Sequence, residues 1–338
     1  MIRFADAAAF EAALHDLPLA DEAAVARART RQAELTKPAG SLGRLEEIAP
    51  FMAGWQGTER PRAEQVRAVL FAGNHGVAAR GVSAFPAEVT AQMVANFRAG
   101  GAAINALADL CGAELSVIPL ALDRPTGDIA AEPAMSATEC LAALNAGAAQ
   151  VTPDADLMFV GEMGIGNTTP AAALCAKAFG GDCEAWCGRG SGVDDAGAAR
   201  KVAAVCAALA LHGPHCTGPF ETLRRLGGRE IAAMAGAILA ARMHRVPALL
   251  DGFICCAAIA PLVAANPAFT DHCLAAHCSA EAGHVRLLAH FRLEPLLRLD
   301  MRLGEGSGAA VAVHLVRAAL ATHNQMATFA EAAVAGAH

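Results

Sequence analysis

The 338-residue chain has no tyrosine, only 4% aromatic residues and only 17% charged ones. Nowhere do Lys and Arg gather into a block that would offset the net charge of −7. Nucleic acid and anionic membrane surfaces are therefore poor partners, since both are captured by clustered cations. The opening segment MIRFADAAAFEAALHDL mixes charges among its apolar residues and does not read as a secretory leader. The most apolar stretch, from Val246 to Ala265, is broken by Asp251, Gly252 and Pro261. It reads as a buried strand followed by a buried helix, not as a membrane span. A cytoplasmic protein is expected. The eleven cysteines are odd in number and contain no C-x-x-C pair, so reduced thiols are expected and no metal site. The histidines and cysteines His212, His215, Cys216, His272, Cys273, His277 and Cys278, with Cys183 and Cys187, form no zinc-type spacing either.

What the chain does have is apolar substance. Hydrophobic residues make up 55%, with alanine and glycine abundant, and such small side chains suit helices packed closely on a sheet. From Val66 onward, short apolar runs end in glycine-rich turns, and each turn opens into an alanine-rich helical stretch. Strand candidates are Val66 to Gly73, Leu115 to Leu120, Asp156 to Gly161, Cys183 to Gly188, Val246 to Gly252 and His272 to His277. One long helix is expected from about Glu88 to Leu110. Thr168 or Thr169 is expected to cap the helix that holds Pro170 near its first turn. Strands alternating with helices predict an α/β fold with a parallel, Rossmann-like sheet flanked by helices. The two helical ends lack the strand rhythm. We expect residues 58–305 to form a large catalytic α/β domain, and 1–57 plus 306–338 a small helical domain.

The polar motifs fall just after strand candidates, where open α/β sheets bind ligands. Gly161 to Thr169, with Glu162, Gly164, Asn167 and Thr168, suits phosphate capture by backbone N–H groups at a helix start. It lacks the P-loop lysine and the dinucleotide G-x-G-x-x-G spacing, so neither ATP nor NAD is implied. A capped tight turn explains the same residues. Gly188-Arg189-Gly190-Ser191-Gly192 adds a second loop, with a cation at Arg200 or Lys201. For an isolated lysine such as Lys201, an ordinary solvated helix charge is the usual case. In Leu303-Gly304-Glu305-Gly306-Ser307-Gly308 a lone carboxylate stands among three glycines before an apolar helix. Glu305 suits a general base for a ring N–H, or simply complements a helix dipole. His75, beside Asn74, is a weaker catalytic candidate.

Five segments carry a resemblance: KPAGSLGRLE (from Lys37), AGNHGVAARGVSAFPAEVTAQMV (from Ala72), GEMGIGNTTPAAAL (from Gly161), GRGSGVDD (from Gly188) and RLGEGSGAA (from Arg302). In order and spacing, from about residue 34 to 322, they resemble the nicotinate-nucleotide–dimethylbenzimidazole phosphoribosyltransferases. The resemblance implies a homodimer with active sites near its interface and no cofactor. It makes Glu305 the essential carboxylate and Glu162 a second functional one. It implies that Gly164, Gly190 and Lys201 bind the ribose phosphate, and that Ser83, Phe85, Gln92 and Leu303 line the benzimidazole pocket. Asn74 departs from the aspartate often found there. A transferase for another azole, purine or phenol, a ribosyl hydrolase and an inactive binding protein are the competing readings.

Overall fold

A computed structural model describes residues 2–190 and 192–335. Ser191 of the second glycine loop, and Met1 and residues 336–338 of the expected helical domain, lie outside that description.

Three helices open the chain: α1 (Ala7–Ala12), α2 (Glu22–Glu34) and α3 (Leu45–Gln56). There follow β1 (Val66–Ala72), α4 (Glu88–Arg98), α5 (Ala103–Leu110), β2 (Ala113–Pro119), α6 (Ala137–Ala148), β3 (Leu157–Met163) and α7 (Thr168–Phe179). The remainder comprises α8 (Asp195–His212), α9 (Pro219–Leu226), α10 (Arg229–Met243), β4 (Ala248–Leu250), α11 (Phe253–Ala265), β5 (Cys273–Ala275), α12 (Ala282–Phe291) and α13 (Ser307–Gln325). The five strands form one parallel sheet in the order β2-β1-β3-β4-β5. The α/β fold with a flanked parallel sheet is thus as expected.

Alternate strand residues feed two apolar layers, as the strand period of two requires. Val69, Phe71, Met158, Val160 and Leu250 pack with α6, α7, α10 and α11, whereas Leu70, Leu157, Phe159 and Leu249 pack with α3, α5 and α13. On the first face α6 and α10 meet backbone to backbone. A Cβ on Gly147 would lie 1.8 Å from the Ala233 carbonyl, and one on Gly236 2.0 Å from that of Leu144. The small-residue composition is used there. The termini meet on the other face: Arg31 of α2 donates to the carbonyls of His323 and Met326, and Gln32 Nε2 lies 2.9 Å from His323 Nδ1. The first helix goes elsewhere, stacking Phe10 edge-on to Phe220 of α9.

Several local expectations are corrected. Cys183–Trp186 is a turn of 3-10 helix outside the sheet, because the Trp186 indole donates to the Gly180 carbonyl and folds the segment back on itself. The expected long helix is split into α4 and α5, since Gly100 takes the left-handed φ of +78° between them. Neither threonine caps α7. Thr168 is its first residue, and Asn167, in the cap position, turns its amide elsewhere. The thiols are not all reduced: Cys183 is bonded to Cys206 of α8, while the other nine are free.

Candidate active site

Because β1, β3, β4 and β5 are parallel neighbours, their C-terminal ends deliver four segments side by side. These are Gly73 to Gly76, Glu162 to Asn167, Asp251 and, just beyond β5, His277. Above the last three opens a cavity of about 460 Å³. Phe85, Val89, Met93, Phe253, Ile254 and Leu303 give it apolar walls, and Glu162, Asp251, His277 and Glu305 a polar floor. The Thr90 hydroxyl, on the buried side of α4, accepts the Ile165 N–H at 3.2 Å and so fixes that helix against the loop after β3.

The Glu305 turn is unusual backbone. Gly304, Glu305 and Gly306 take φ values of +82°, +63° and +82°. The two glycines hold that region freely, but Glu305 does not, and such residues persist where their surroundings over-determine them. Gly161 of β3 is one such surrounding, since a Cβ there would lie 2.3 Å from the Glu305 carbonyl oxygen. The turn lies flat on the strand, and α13 begins directly after it. The Glu305 side chain is 5% exposed, and its Oε2 has no hydrogen-bond partner among the described residues. Burial, then the charge of Asp251, push its carboxyl up to about 7.

Glu162 occupies the penultimate position of β3 and accepts the Asn167 amide on Oε2. Burial drives its carboxyl up to about 8. The Asn167 hydrogen bond opposes that rise, and the charges of Glu230, Asp251 and Glu305 add to it. A protein rarely buries carboxyl groups this close together without a use for them.

The phosphate candidates gather at one corner. Gly164, Asn167, Thr168 and Gly190 line the cavity. Lys201, 1% exposed, lies behind them and donates from Nζ to the Gly188 carbonyl at 2.8 Å. It is therefore not a solvated helix charge. Burial lowers its pKa, against the opposing charge of Glu281, which also lines the cavity. Arg200 turns away and donates to the Gly81 carbonyl. Phe85 and Leu303 stand at the mouth, 52% and 56% exposed. Ser83 and Gln92 are not part of the lining. The Ser83 hydroxyl accepts the Phe85 N–H at 3.2 Å, and Gln92 is exposed on α4, whose Val89 and Met93 face inward instead.

Of three acidic or imidazole groups near the site, Asp251 and Glu230 are not among the sequence-predicted site residues, and His277 stands there only as a zinc candidate. His75 does not enter the cavity. Its Nε2 lies 2.6 Å from Glu230 Oε1, and both side chains are fully buried beneath the loops. Asn74 reaches away to the Leu122 carbonyl. Asp251 and His277 lie on the floor itself. Asp251 had a legible signal, an acid and a glycine ending an apolar strand, and His277 ended a strand candidate; Glu230 had none. Among the other zinc candidates, His272 lies within hydrogen-bond distance of the Phe269 and Ile238 carbonyls and 3.5 Å from Cys273 Sγ, and His212 lies within hydrogen-bond distance of the Ile129 carbonyl.

A phosphoribosyltransferase family model matches residues 17–334 of the chain. The chain is 67% identical over 335 residues to nicotinate-nucleotide–dimethylbenzimidazole phosphoribosyltransferase of Novosphingobium aromaticivorans, covering 99% of each chain. It is 58% identical over 323 residues to the protein of that name from Mesorhizobium japonicum, covering 96% of each. It also superposes on the crystal structure of the protein of that name from Thermus thermophilus. The TM-score is 0.88 at 40% identity, over 94% of this chain and 100% of that one.

Proposed function

This chain belongs to the nicotinate-nucleotide–dimethylbenzimidazole phosphoribosyltransferase family, and from that premise we propose that it moves the 5-phosphoribosyl group of nicotinate mononucleotide to 5,6-dimethylbenzimidazole. The products are α-ribazole 5′-phosphate and nicotinate, in the synthesis of the cobalamin lower ligand. The observation that carries the reading is the Glu305 turn, which sets a buried carboxylate with one unpartnered oxygen into an apolar cavity large enough for a fused aromatic base.

The chemistry asks little of the protein. The bond between C1′ and the pyridinium nitrogen breaks, its electron pair stays with the ring, and nicotinate leaves without needing an acid. One nitrogen of the benzimidazole forms the new bond to C1′, and the N–H proton of the other passes to Glu305. With its carboxyl near 7, Glu305 is substantially ionised at neutral pH and still basic enough to accept that proton. Attack from the face opposite nicotinate inverts the anomeric centre from β to α. Glu162, near 8, is largely protonated at neutral pH before substrate arrives. That favours a role in orienting the ribose hydroxyls, and an approaching pyridinium cation pulls it toward its ionised form. The glycine loops and Lys201 hold the phosphate, while Phe85 and Leu303, with Met93, flank the aromatic base. The half-exposed Phe85 and Leu303 suit cover by a second protomer, so a homodimer belongs to the same reading, as does a cytoplasmic location. Among the described residues no helix is long and apolar enough to cross a membrane.

The test is to incubate the purified protein with nicotinate mononucleotide, with and without 5,6-dimethylbenzimidazole, and to follow both products by chromatography. Base-dependent appearance of nicotinate and α-ribazole phosphate in equal amounts is expected. Nicotinate release without base would mean a hydrolase, and silence across a panel of azoles, purines and phenols would mean a binding protein.

A further inference from the structure

Asp251 lies outside every motif that first marked the site, yet it grips the turn carrying Glu305. It follows β4 directly and is 2% exposed. Its Oδ1 accepts the backbone N–H of Ala309 at 2.9 Å, and its Oδ2 that of Gly306 at 3.3 Å. Helix α13 starts at Ser307, and its cap residue, Gly306, has no side chain with which to satisfy the first N–H groups. A capping oxygen ordinarily comes from the residue that enters the helix. Here it comes from a strand 55 residues earlier, so the cap also fastens the sheet to the residue next to Glu305.

Behind Asp251 stands His277, delivered by the neighbouring strand β5. Its Nε2 lies 3.7 Å from Asp251 Oδ1 and its ring is 2% exposed. Neither ring nitrogen has a hydrogen-bond partner among the described residues. The ring packs against the first turn of α13, where a Cβ on Gly308 would meet it at 2.1 Å. Two strands thus hold one helix start. Glu305 itself sits in a left-handed conformation that it does not favour, immediately upstream of that start.

We infer that Asp251 is a positioning residue for the transfer: by capping α13 from β4, with His277 braced behind it, it fixes the Glu305 carboxylate at the attacking side of the cavity. The inference rests on Glu305 being the proton acceptor. It requires no contact between Asp251 and substrate.

The charge of Asp251 gives the proposal a second readout. The titratable and charged groups that line the cavity with Glu305 are Glu162 of β3, Asp251 just after β4, Cys255 of α11, His277 just beyond β5, Glu281 and Arg302. Of these the charge of Asp251 is the one that, after burial, raises the Glu305 carboxyl. Burial raises the carboxyl of Asp251 itself, opposed by His277 and by the N–H groups it accepts; over the pH range in which Asp251 is ionised, removing its charge lets Glu305 stay ionised to lower pH.

The experiment compares kcat and kcat/KM against pH for the wild type, Asp251→Asn, Asp251→Glu and Glu305→Gln, with nicotinate mononucleotide as donor and 5,6-dimethylbenzimidazole as acceptor. Thermal melts and calorimetric binding of nicotinate mononucleotide report the fold. In Asp251→Asn we expect the acidic limb of kcat/KM to move to lower pH. We also expect kcat to fall by up to ~10²-fold, the effect of displacing a reacting group by about an ångström, with KM changing far less. Asp251→Glu keeps the charge but cannot hold both N–H groups in the same geometry. Its limb stays near that of the wild type while kcat falls, and it carries the kcat test if Asp251→Asn does not fold. A limb that Glu305→Gln abolishes but Asp251→Asn leaves unmoved, with kcat within about twofold of wild type in both Asp251 variants, overturns the positioning role alone. A limb that survives in Glu305→Gln overturns the assignment of Glu305 as base, and this proposal with it.

Discussion

Glu162 and Lys201 are ionisable groups that the fold removes from water, and each makes a measurable promise. Burial lifts Glu162 from an ordinary 4.5 to about 8, so between those pH values the folded protein keeps a proton that the unfolded chain gives up. Stability is therefore lost as pH rises through that window. Glu162→Gln carries no such proton and still offers an oxygen to Asn167. Its melting temperature, relative to wild type, should rise by a few degrees between pH 5 and pH 9, as thermal melts across that range would show. A constant difference would contradict the raised carboxyl. For Lys201, substitution by Met keeps an apolar stem of similar length and removes the cation behind Thr168 and Gly190. Losing a charge-assisted contact worth about 1.5–3 kcal/mol should raise KM for nicotinate mononucleotide by roughly 10- to 100-fold, with kcat less affected. Steady-state kinetics decide this, and an unchanged KM would remove Lys201 from the phosphate site. Glu162 and Glu305 could be found in the sequence because glycines flag the loops around them. Glu230 could not, because what makes it part of the site is a partner far away in the chain, His75; His277 closes a strand candidate, but its place beside Asp251 comes from the pairing of two strands.

At the level of elements, apolar runs located all five strands, three of them (β1, β3 and β4) closed by glycine, since a strand buried on both faces has little choice of composition. The same signal misled at Cys183 to Gly188. The run is short there and includes Glu184, and the tryptophan in it is better satisfied by folding back on Gly180 than by joining a sheet. The gap between α4 and α5 was also written in the sequence, as Gly100-Gly101, but an alanine-rich helical pattern on both sides concealed it. The close contact between α6 and α10 follows from composition as well. Gly236 lets α10 rest on the Leu144 carbonyl of α6, and a branched side chain there has nowhere to go. Gly236→Val should destabilise the protein by about 1–3 kcal/mol or more through overpacking. Urea titration would register this as a lower midpoint with an unchanged slope. A midpoint equal to wild type would mean that the two helices are not in backbone contact.

Across the whole molecule, one parallel sheet between two apolar layers explains why the site is where it is. Glu162, Asp251 and His277 come from three different strands, and Glu305 from the segment leading into α13, yet all meet at one edge because the strands run the same way. The sequence order of the motifs foretold that convergence. It did not foretell that the amino- and carboxyl-terminal helices would share the work unevenly, with α2 and α3 beside α13 while α1 joins α9 on the other layer. That division depends on where Phe10 finds an aromatic partner, a tertiary choice with no local signal.

In the proposed transfer, a single buried carboxylate on a left-handed turn accepts the proton of the incoming base. Glu305→Gln preserves the shape of the turn and removes that basicity. Single-turnover formation of α-ribazole phosphate at pH 8 is the direct measurement, with nicotinate mononucleotide binding checked by calorimetry. The rate should drop by at least ~10²-fold with binding retained. A rate close to wild type would show that positioning alone suffices and that Glu305 is not the base.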